Sequence, residues 1–483
     1  MSGAAVLAID LGAESGRAVL VALDPARERP LTLREVHRFP NAPVVTSAGS
    51  RWDVDALFRE VLEGLRRGVA AAAEAGLPLR SVGVDAWGVD FALLDAAGGI
   101  LAPPLCYRDP LAQEAFEEVT AAVGRERLYA TTGTQFLPFN TIYQLAGLRR
   151  REPRLLEAAD RLLFLPDLMH FLLTGVRATE GTIASTAQMT DPATGDWARG
   201  LCAELGLPER LLGEIVPTGS VLGGLLPQVR EAIGAGAELQ VVAPATHDTA
   251  SAVLAVPAAA DRRWAFLSSG TWSLLGVERR APLLGPAACA ASFTNEWGMA
   301  GSFRFLKNIT GLWLVQECRR AFARGGAEFS YEELARLAAA AGPSPTRLDL
   351  AAEPLLAPGD MPAKIQAWAR RTGQPVPEDP SALVRCCLDG LAEAYAATLT
   401  TLEELTGETC EVLHVVGGGA RNTLLNRLTA AATGRRVVAG PDEATAIGNA
   451  LSQMIGLGLV RGVKEAREVV RASLQLEVFE PEG

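Results

Sequence analysis

Cysteine is scarce in this chain, with seven residues among 483, which excludes a disulfide scaffold. None falls in a Cys-x-x-Cys pair or a Cys/His cluster, and the adjacent Cys386 and Cys387 are badly spaced for a metal. Histidine is scarcer still: His37, His170, His247 and His414 are the only four, scattered so that a histidine-built zinc site is not expected. Lysine is nearly missing, with Lys307, Lys364 and Lys464 the only three, so almost all basic charge is arginine. An excess of basic charge is also lacking. Lys+Arg number 45 against 56 Asp+Glu, a net charge of −11, and no nucleic-acid partner is expected. Long apolar runs are absent too. The longest stretch, 241–260, is broken by Pro244, His247, Asp248 and Pro257, so no membrane partner is expected. The opening MSGAAVLAIDLG has no basic region and meets Asp10 early; it does not read as a secretory signal. These absences leave a cytoplasmic enzyme, a monomer or small homo-oligomer, as the expectation.

Hydrophobic residues make up 49% and charged residues 21% of the chain, ordinary globular proportions with enough apolar material for two large domains. Apolar runs at 6–11 and 17–23 flank the glycine turn 12–16 and predict a β-hairpin. A third strand is expected at 31–39. Leu57, Val61, Leu65 and Val69 recur at helical spacing, predicting a helix over 54–75 with Asp53 as its N-cap. A buried strand over 81–94 follows. The order β-β-β-α-β points to a mixed sheet. Residues 128–213 read as helical with loops, and 216–243 as short strands. The second half repeats the theme: strands at 264–268 and 272–278 around a small-residue turn, helices at 305–322 and 381–405, a strand at 412–416, then 422–433, 436–438 and 444–457 as helix, strand and helix. The halves read as distant versions of one unit, dividing near 243–245.

Five segments carry chemistry. In Asp10-Leu11-Gly12-Ala13-Glu14-Ser15-Gly16-Arg17 a strand-end carboxylate can hold a hydrated magnesium ion. The glycines there open backbone N–H groups to phosphate, and Ser15 and Arg17 can donate. Alone, the segment reads more readily as a plain hairpin turn with a solvated arginine, since glycine turns with one serine are common. Ser269-Gly270-Thr271-Trp272 makes a second such hairpin, as expected if two related domains share one nucleotide. Gly417-Gly418-Gly419 runs from strand to helix without the spacing of a P-loop. In Thr246-His247-Asp248-Thr249 a lone carboxylate stands among small side chains. It suits a base that takes a hydroxyl proton during phosphoryl transfer, and equally a helix cap. In Asp85-Ala86-Trp87-Gly88-Val89-Asp90-Phe91 an aromatic plate beside carboxylates suits a sugar, although Trp and Phe at a strand end are more often core.

On these segments the chain resembles the FGGY family of carbohydrate kinases. The runs AIDLGAESGR, RWDVDALF, VDAWGVDFALLD, GTQFLPFNTIYQL, THDTASAV, LSSGTWSLLG, LKNITGLWLVQ, VVGGGARNTLLNRL and AGPDEATAIGN span nearly its full length in the family's order. The resemblance implies an α/β fold of two ribonuclease-H-like domains, of the actin/Hsp70/hexokinase type, flanking a catalytic cleft. Residues 1–244 would form the sugar side and 245–483 the nucleotide side. It implies ATP as co-substrate, Mg2+, and a small ketose as acceptor. Asp248 would be the catalytic proton acceptor. Ala13, Glu14, Ser15, Gly16, Arg17, Thr271, Gln316 and Gly418 would bind ATP. Gly88, His247, Asp248, Thr249 and Asn308 would bind the sugar, and Asp10 would hold the metal. The chain departs from the family pattern at Glu14, at Thr246 where a serine is expected, and at Ser269 where many proteins of this fold carry an acid. No disulfide is carried over. A kinase for another ketose, or a nucleotide-operated switch of the same fold, would share most of these segments. Arg17 and Asp248 lie in different halves of the sequence and are expected on different domains.

Overall fold

The computed structural model describes residues 3–46, 49–357 and 359–481. The chain divides into two compact units that do not follow its order. The first takes the chain up to Ala255, with Glu278–Phe305 and Thr445–Ser473 returning to it; the second takes Val256–Val277, Leu306–Ala444 and the chain from Leu474 on. Asp248 therefore belongs to the same unit as Arg17, which corrects the expectation that they stand on different domains.

The first unit is built on a six-stranded sheet in the order Ser220–Gly224, Gln240–Ala243, Leu79–Ala86, Ala4–Leu11, Ser15–Leu23, Leu31–Pro40. Ala4–Leu11 and Ser15–Leu23 form the expected hairpin, with Asp10 opposite Arg17. On its other side Ala4–Leu11 runs parallel to Leu79–Ala86, setting Asp10 beside Asp85. Helix Val54–Glu74 covers one face. Asp53 caps it by accepting from the Ala56 N–H, as the sequence predicts. Gly64 and Gly68 let its axis approach the sheet: a Cβ on them would press on Ala18 and Leu7 at 2.9 and 2.7 Å. A second apolar core gathers Tyr143, Leu162, Phe164 and Ile183 with the helices between 111 and 212.

The second unit repeats the wiring. Trp272–Arg279, Trp264–Ser269, Val412–Val416, Arg436–Ala439 and Glu477–Phe479 are neighbours in one sheet. Their pairings run antiparallel, parallel, parallel, antiparallel, the sequence of directions that relates Ser15–Leu23 through to Ser220–Gly224 in the first unit.

Two expectations fail locally. The strand over 81–94 stops at Ala86; after a turn with Val89 at φ 70°, Phe91–Leu94 pairs instead with Arg161–Phe164. The helix over 305–322 is a strand, Phe303–Thr310, followed by a helix only at Trp313–Arg324. Phe303, Phe305 and Ile309 are residues that strands favour, and pairing within the sheet decides the segment. Gly311 ends it. Among the described residues no helix is long and apolar enough to cross a membrane.

Helix Ala444–Gly456 returns from far along the chain to press on helix Asp248–Leu254. A Cβ on Gly448 would overlap the carbonyl oxygen of Ser251, and backbone cannot yield as a side-chain tip can. Gly448→Ala is therefore expected to lower stability by roughly 2 kcal/mol or more through overpacking. Gly200→Ala, at an exposed helix position with open space around it, should be neutral or stabilising by about 0.5–1 kcal/mol. Urea unfolding of both variants checks the contrast; equal midpoints would show that the two helices are not locked together.

Candidate active site

Three carboxylates meet at one end of the first unit's sheet. Asp10 is buried, and its Oδ2 accepts from Arg17 Nη2 at 2.7 Å and Nε at 3.0 Å. The Arg17 of the plain-hairpin reading, solvated and unengaged, is thus replaced by a paired one. The turn closes through Gly12 N–H to Ser15 O at 3.1 Å. Glu14 and Ser15 lie exposed at its tip, Ala13 is half-buried, and Gly16 is buried against Phe39, whose ring edge a Cβ there would overlap. Asp85 is wholly buried beside Asp10; one oxygen accepts from Asn449 Nδ2 at 2.5 Å and the other, Oδ1, has no partner among the described residues. Burial first, and then the Asp10 charge, push the Asp85 carboxyl well above the usual carboxylate range, against the pull of Asn449.

Asp248 is the third. It opens helix Asp248–Leu254 as the first helical residue rather than its cap, with His247 in the cap position. The capping explanation of this carboxylate therefore fails. Its Oδ1 accepts from its own neighbour, Thr249, through N at 2.5 Å and Oγ1 at 3.2 Å. The Asp248 side chain keeps 33% of its surface, whereas His247 keeps 9%, so a small molecule can reach the carboxylate. Burial is the main cause that raises the Asp248 pKa; Asp10 adds to it and His247 opposes it. His247 Nε2 stands 3.4 Å from Asp248 Oδ1, and on the other side of the ring Nδ1 meets Arg304 Nη2 at 3.1 Å and Glu296 Oε2 at 3.2 Å.

The loop that carries Asp248 hangs on one residue absent from the sequence reading. Glu180, fully buried, accepts through Oε2 from Thr246 N and Oγ1, from Thr182 N and Oγ1, and from Ile183 N. The Thr246 hydroxyl does the anchoring, so a threonine keeps what a serine would supply. The loop is also tied by His247 N–H to Thr182 Oγ1 at 3.1 Å, and Ala86 N–H donates to Thr246 O at 2.9 Å.

Gly88 is half-buried on the same side. A Cβ there would meet Thr186 at 3.0 Å, and the Val89 N–H donates to Thr186 Oγ1. The neighbouring Trp87 and Asp90 are buried and form no sugar plate. Asp90 Oδ2 accepts from Trp52 Nε1 at 2.6 Å, Trp87 Nε1 at 2.9 Å and Tyr107 N at 3.2 Å, while Oδ1 accepts from Gln144. Those donors oppose the burial that pushes Asp90 up to about 7. The packed-core explanation holds for this aromatic segment.

Within the second unit, Thr271, Gln316 and Gly418 gather around the second hairpin. Gln316 Nε2 donates to Thr271 Oγ1 at 3.2 Å, and its buried Oε1 has no partner among the described residues. The Trp313 N–H at the helix start donates to Thr271 O. Gly417 and Gly419 lie against Ser269, whose hydroxyl occupies the space a Cβ on Gly419 would need. Gly418 faces outward with nothing within 4 Å of its missing Cβ, open for a flat group to rest on. Asn308 is half-buried on Phe303–Thr310 in this unit.

Sequence reasoning missed Glu180, Glu296, Arg304 and Asn449. The one available signal was Phe303-Arg304-Phe305, an arginine between two aromatics in a strand pattern, which asks for a buried partner.

Comparison with known proteins accords with this geometry. The N-terminal domain of the FGGY family of carbohydrate kinases matches residues 5–255 and its C-terminal domain residues 265–457. The rhamnulokinase of Bacteroides thetaiotaomicron is 42% identical over 98% of this chain and 95% of its own. That of Halalkalibacterium halodurans is 41% identical over 98% of each. The fold is similar to that of a xylulose kinase from Lactobacillus acidophilus, with a TM-score of 0.78 at 14% identity over 99% of this chain and 94% of that one. It is also similar to Plasmodium falciparum glycerol kinase with ADP, with a TM-score of 0.77 at 16% identity over 99% and 94%.

Glu180→Ala would strip the acceptor from three buried backbone N–H groups, those of Thr182, Ile183 and Thr246. Stability should fall by at least about 3 kcal/mol, since each bond to a charged group contributes roughly 1.5–3 kcal/mol and the orphaned donors stay buried. Urea denaturation measures it; a loss under about 1 kcal/mol would mean the Asp248 loop is held by something else.

Proposed function

Because the chain belongs to the FGGY family of carbohydrate kinases, we propose that it transfers the γ-phosphoryl group of ATP to the 1-hydroxyl of L-rhamnulose. The products are L-rhamnulose 1-phosphate and ADP, in the breakdown of L-rhamnose. The observation that carries the acceptor is the identity of about 40% over nearly the whole chain to proteins named rhamnulokinase, from Bacteroides, Halalkalibacterium and Klebsiella pneumoniae among others.

Asp248 is the base in this reading. Its reachable carboxylate, oriented by Thr249, accepts the proton of the 1-hydroxyl as that oxygen attacks the γ-phosphorus, and ADP leaves with the electron pair of the broken P–O bond. His247, Thr249 and Gly88 line the sugar, with Gly88 leaving room beside Thr186. The hairpin tip from Ala13 to Arg17 takes phosphate oxygens on its backbone N–H groups. Thr271, Gln316 and Gly418 take the nucleoside end, where the buried Gln316 Oε1 supplies an unfilled acceptor and Gly418 an open surface.

The acidic set fits a magnesium ion. Asp85 carries a buried oxygen without a partner next to Asp10, and hydrated magnesium asks for only one or two carboxylates. Asp10, with Asp85 behind it, would hold the ion, which supplies neutralisation of charge on the triphosphate. Arg17, paired with Asp10, keeps that carboxylate oriented.

Release of ADP, followed over a panel of ketoses, tests the reading. L-rhamnulose should stimulate most; a larger response to L-fuculose or a pentulose would reassign the acceptor, and ketose-independent ATP hydrolysis would point to a switch. Asp248→Asn keeps shape and removes basicity, so kcat should drop by about 10²–10⁴-fold with ATP affinity little changed. An unimpaired variant moves the base elsewhere.

The pH profile gives an independent check. Ionised Asp248 is the active form, so the rate falls as pH drops through its pKa. That pKa is raised above the ordinary 3.8 by burial and by Asp10, so the acid limb of kcat should lie above the range of an exposed aspartate. A profile flat down to a pH of about 4 would contradict it.

A further inference from the structure

The turn that carries Gly88 holds a valine where the backbone disfavours one. Among the described residues four that are not glycine have a left-handed backbone, Val89, Gln188, Ser292 and Ala300, and Val89, at φ 70°, is the one with a β-branched side chain. Such a residue is a steric outlier in that region. The Asp90 N–H donates to Gly88 O at 2.9 Å. A hydrogen bond between residues two apart, across a centre with φ of about +75°, makes the rare and strained kind of γ-turn. Strain of this sort persists only where the surroundings over-determine it. Here Val89 O accepts from Thr141 Oγ1 at 2.8 Å and from Gln144 Nε2 at 3.3 Å, and the Val89 N–H donates to Thr186 Oγ1 at 3.1 Å. Gln144 also donates to Asp90 Oδ1, and Asp90 O accepts from the Leu165 N–H. Thr141, Gln144 and Thr186 are all buried.

These contacts engage the backbone groups of the turn from Gly88 O through Asp90 O. The Gly88 N–H is the exception: no described residue accepts from it. Gly88 is also the opening in the segment, half-buried where Trp87, Val89 and Asp90 are buried. We propose that Thr141, Gln144 and Thr186 are positioning residues for the acceptor, locking Val89 into the γ-turn so that the Gly88 N–H is held in one direction as a donor to an oxygen of the ketose. The inference rests on the reading of Gly88 as part of the sugar site. Released from its clamps, Val89 would relax to negative φ and turn the Gly88–Val89 peptide with it. The donor would then lose its direction while the core around it stays packed.

Glycine adopts a positive φ freely, so the role of the clamp can be separated from a merely structural one. Thr141→Val keeps the shape of the side chain and removes the donor to Val89 O. Its KM for L-rhamnulose should rise about tenfold, the effect of one misdirected hydrogen bond, with kcat and the KM for ATP within about twofold of the wild type. Thr141→Ser, which keeps the hydroxyl, should behave as the wild type does. In Val89→Gly the turn no longer needs the clamp, so adding Thr141→Val to it should change the ketose KM by less than about twofold. An unchanged ketose KM in folded Thr141→Val overturns the proposal, and so does a rise equally large in the Val89→Gly background. Should Thr141→Val not fold, the same cycle with Thr186→Val decides on the same terms. Failure of the acceptor reading shows in the wild type instead. A larger response to another ketose corrects the acceptor, and the cycle is then read with that ketose; a wild type that no ketose stimulates refutes the sugar site, and this proposal with it.

Discussion

One buried carboxylate organises the reactive end of the first unit. Taking Glu180 out of water is expensive, and the expense is offset only because its oxygens collect N–H and O–H donors from Thr182, Ile183, Thr218 and Thr246. Those donors belong to segments that are remote in sequence, 180–183, 218 and 246. Satisfying them at a single point fixes the loop before Asp248 to the helix start at Gly181. The position of the candidate base follows from this constraint, since His247 and Asp248 are the next residues along the loop.

A second polar brace comes from the far end of the chain. Helix Ala444–Gly456 sends Asn449 to Asp85 and to the carbonyl of Gly83, Gln453 to Leu7 O and to Ser81, and Ser452 to the Ala245 N–H. These contacts reach the strands that end in Asp10, Asp85 and the Asp248 loop. A helix with an apolar face alone would bury the same area but would not specify the rotation of each strand. Hydrogen bonds do, because an unmatched buried donor or acceptor is penalised. The closely spaced carboxylates of Asp10 and Asp85 are held against their mutual repulsion by this frame and by Arg17.

The two units share the directions of their strand pairing yet use their hairpins differently. In the first, the strand end carries a carboxylate paired with arginine. In the second, Ser269 fills the corresponding turn and packs under Gly417 and Gly419. There the side chain serves close packing of two backbones, which leaves Gly418 open to the outside. The duplicated fold thus supplies one unit with charge and the other with a smooth surface.

The sequence by itself determined the hairpins, the capped helix at Asp53, the long helix that the structure places at Pro380–Thr406, and the motifs that assign the family. Each is a local pattern: alternation, helical spacing, a cap or a glycine turn speaks through neighbours a few residues away. It misread 305–322, where an apolar run suited strand and helix alike and only sheet neighbours decide. Tertiary structure alone decided that Asp248 shares a unit with Arg17, that Asp90 and Trp87 are spent in the core, and that Glu180, Arg304 and Asn449 brace the site. The reason is physical. Whether a charged side chain is solvated or structural depends on what surrounds it after folding, and its partners here lie tens to hundreds of residues away, beyond the reach of any periodicity.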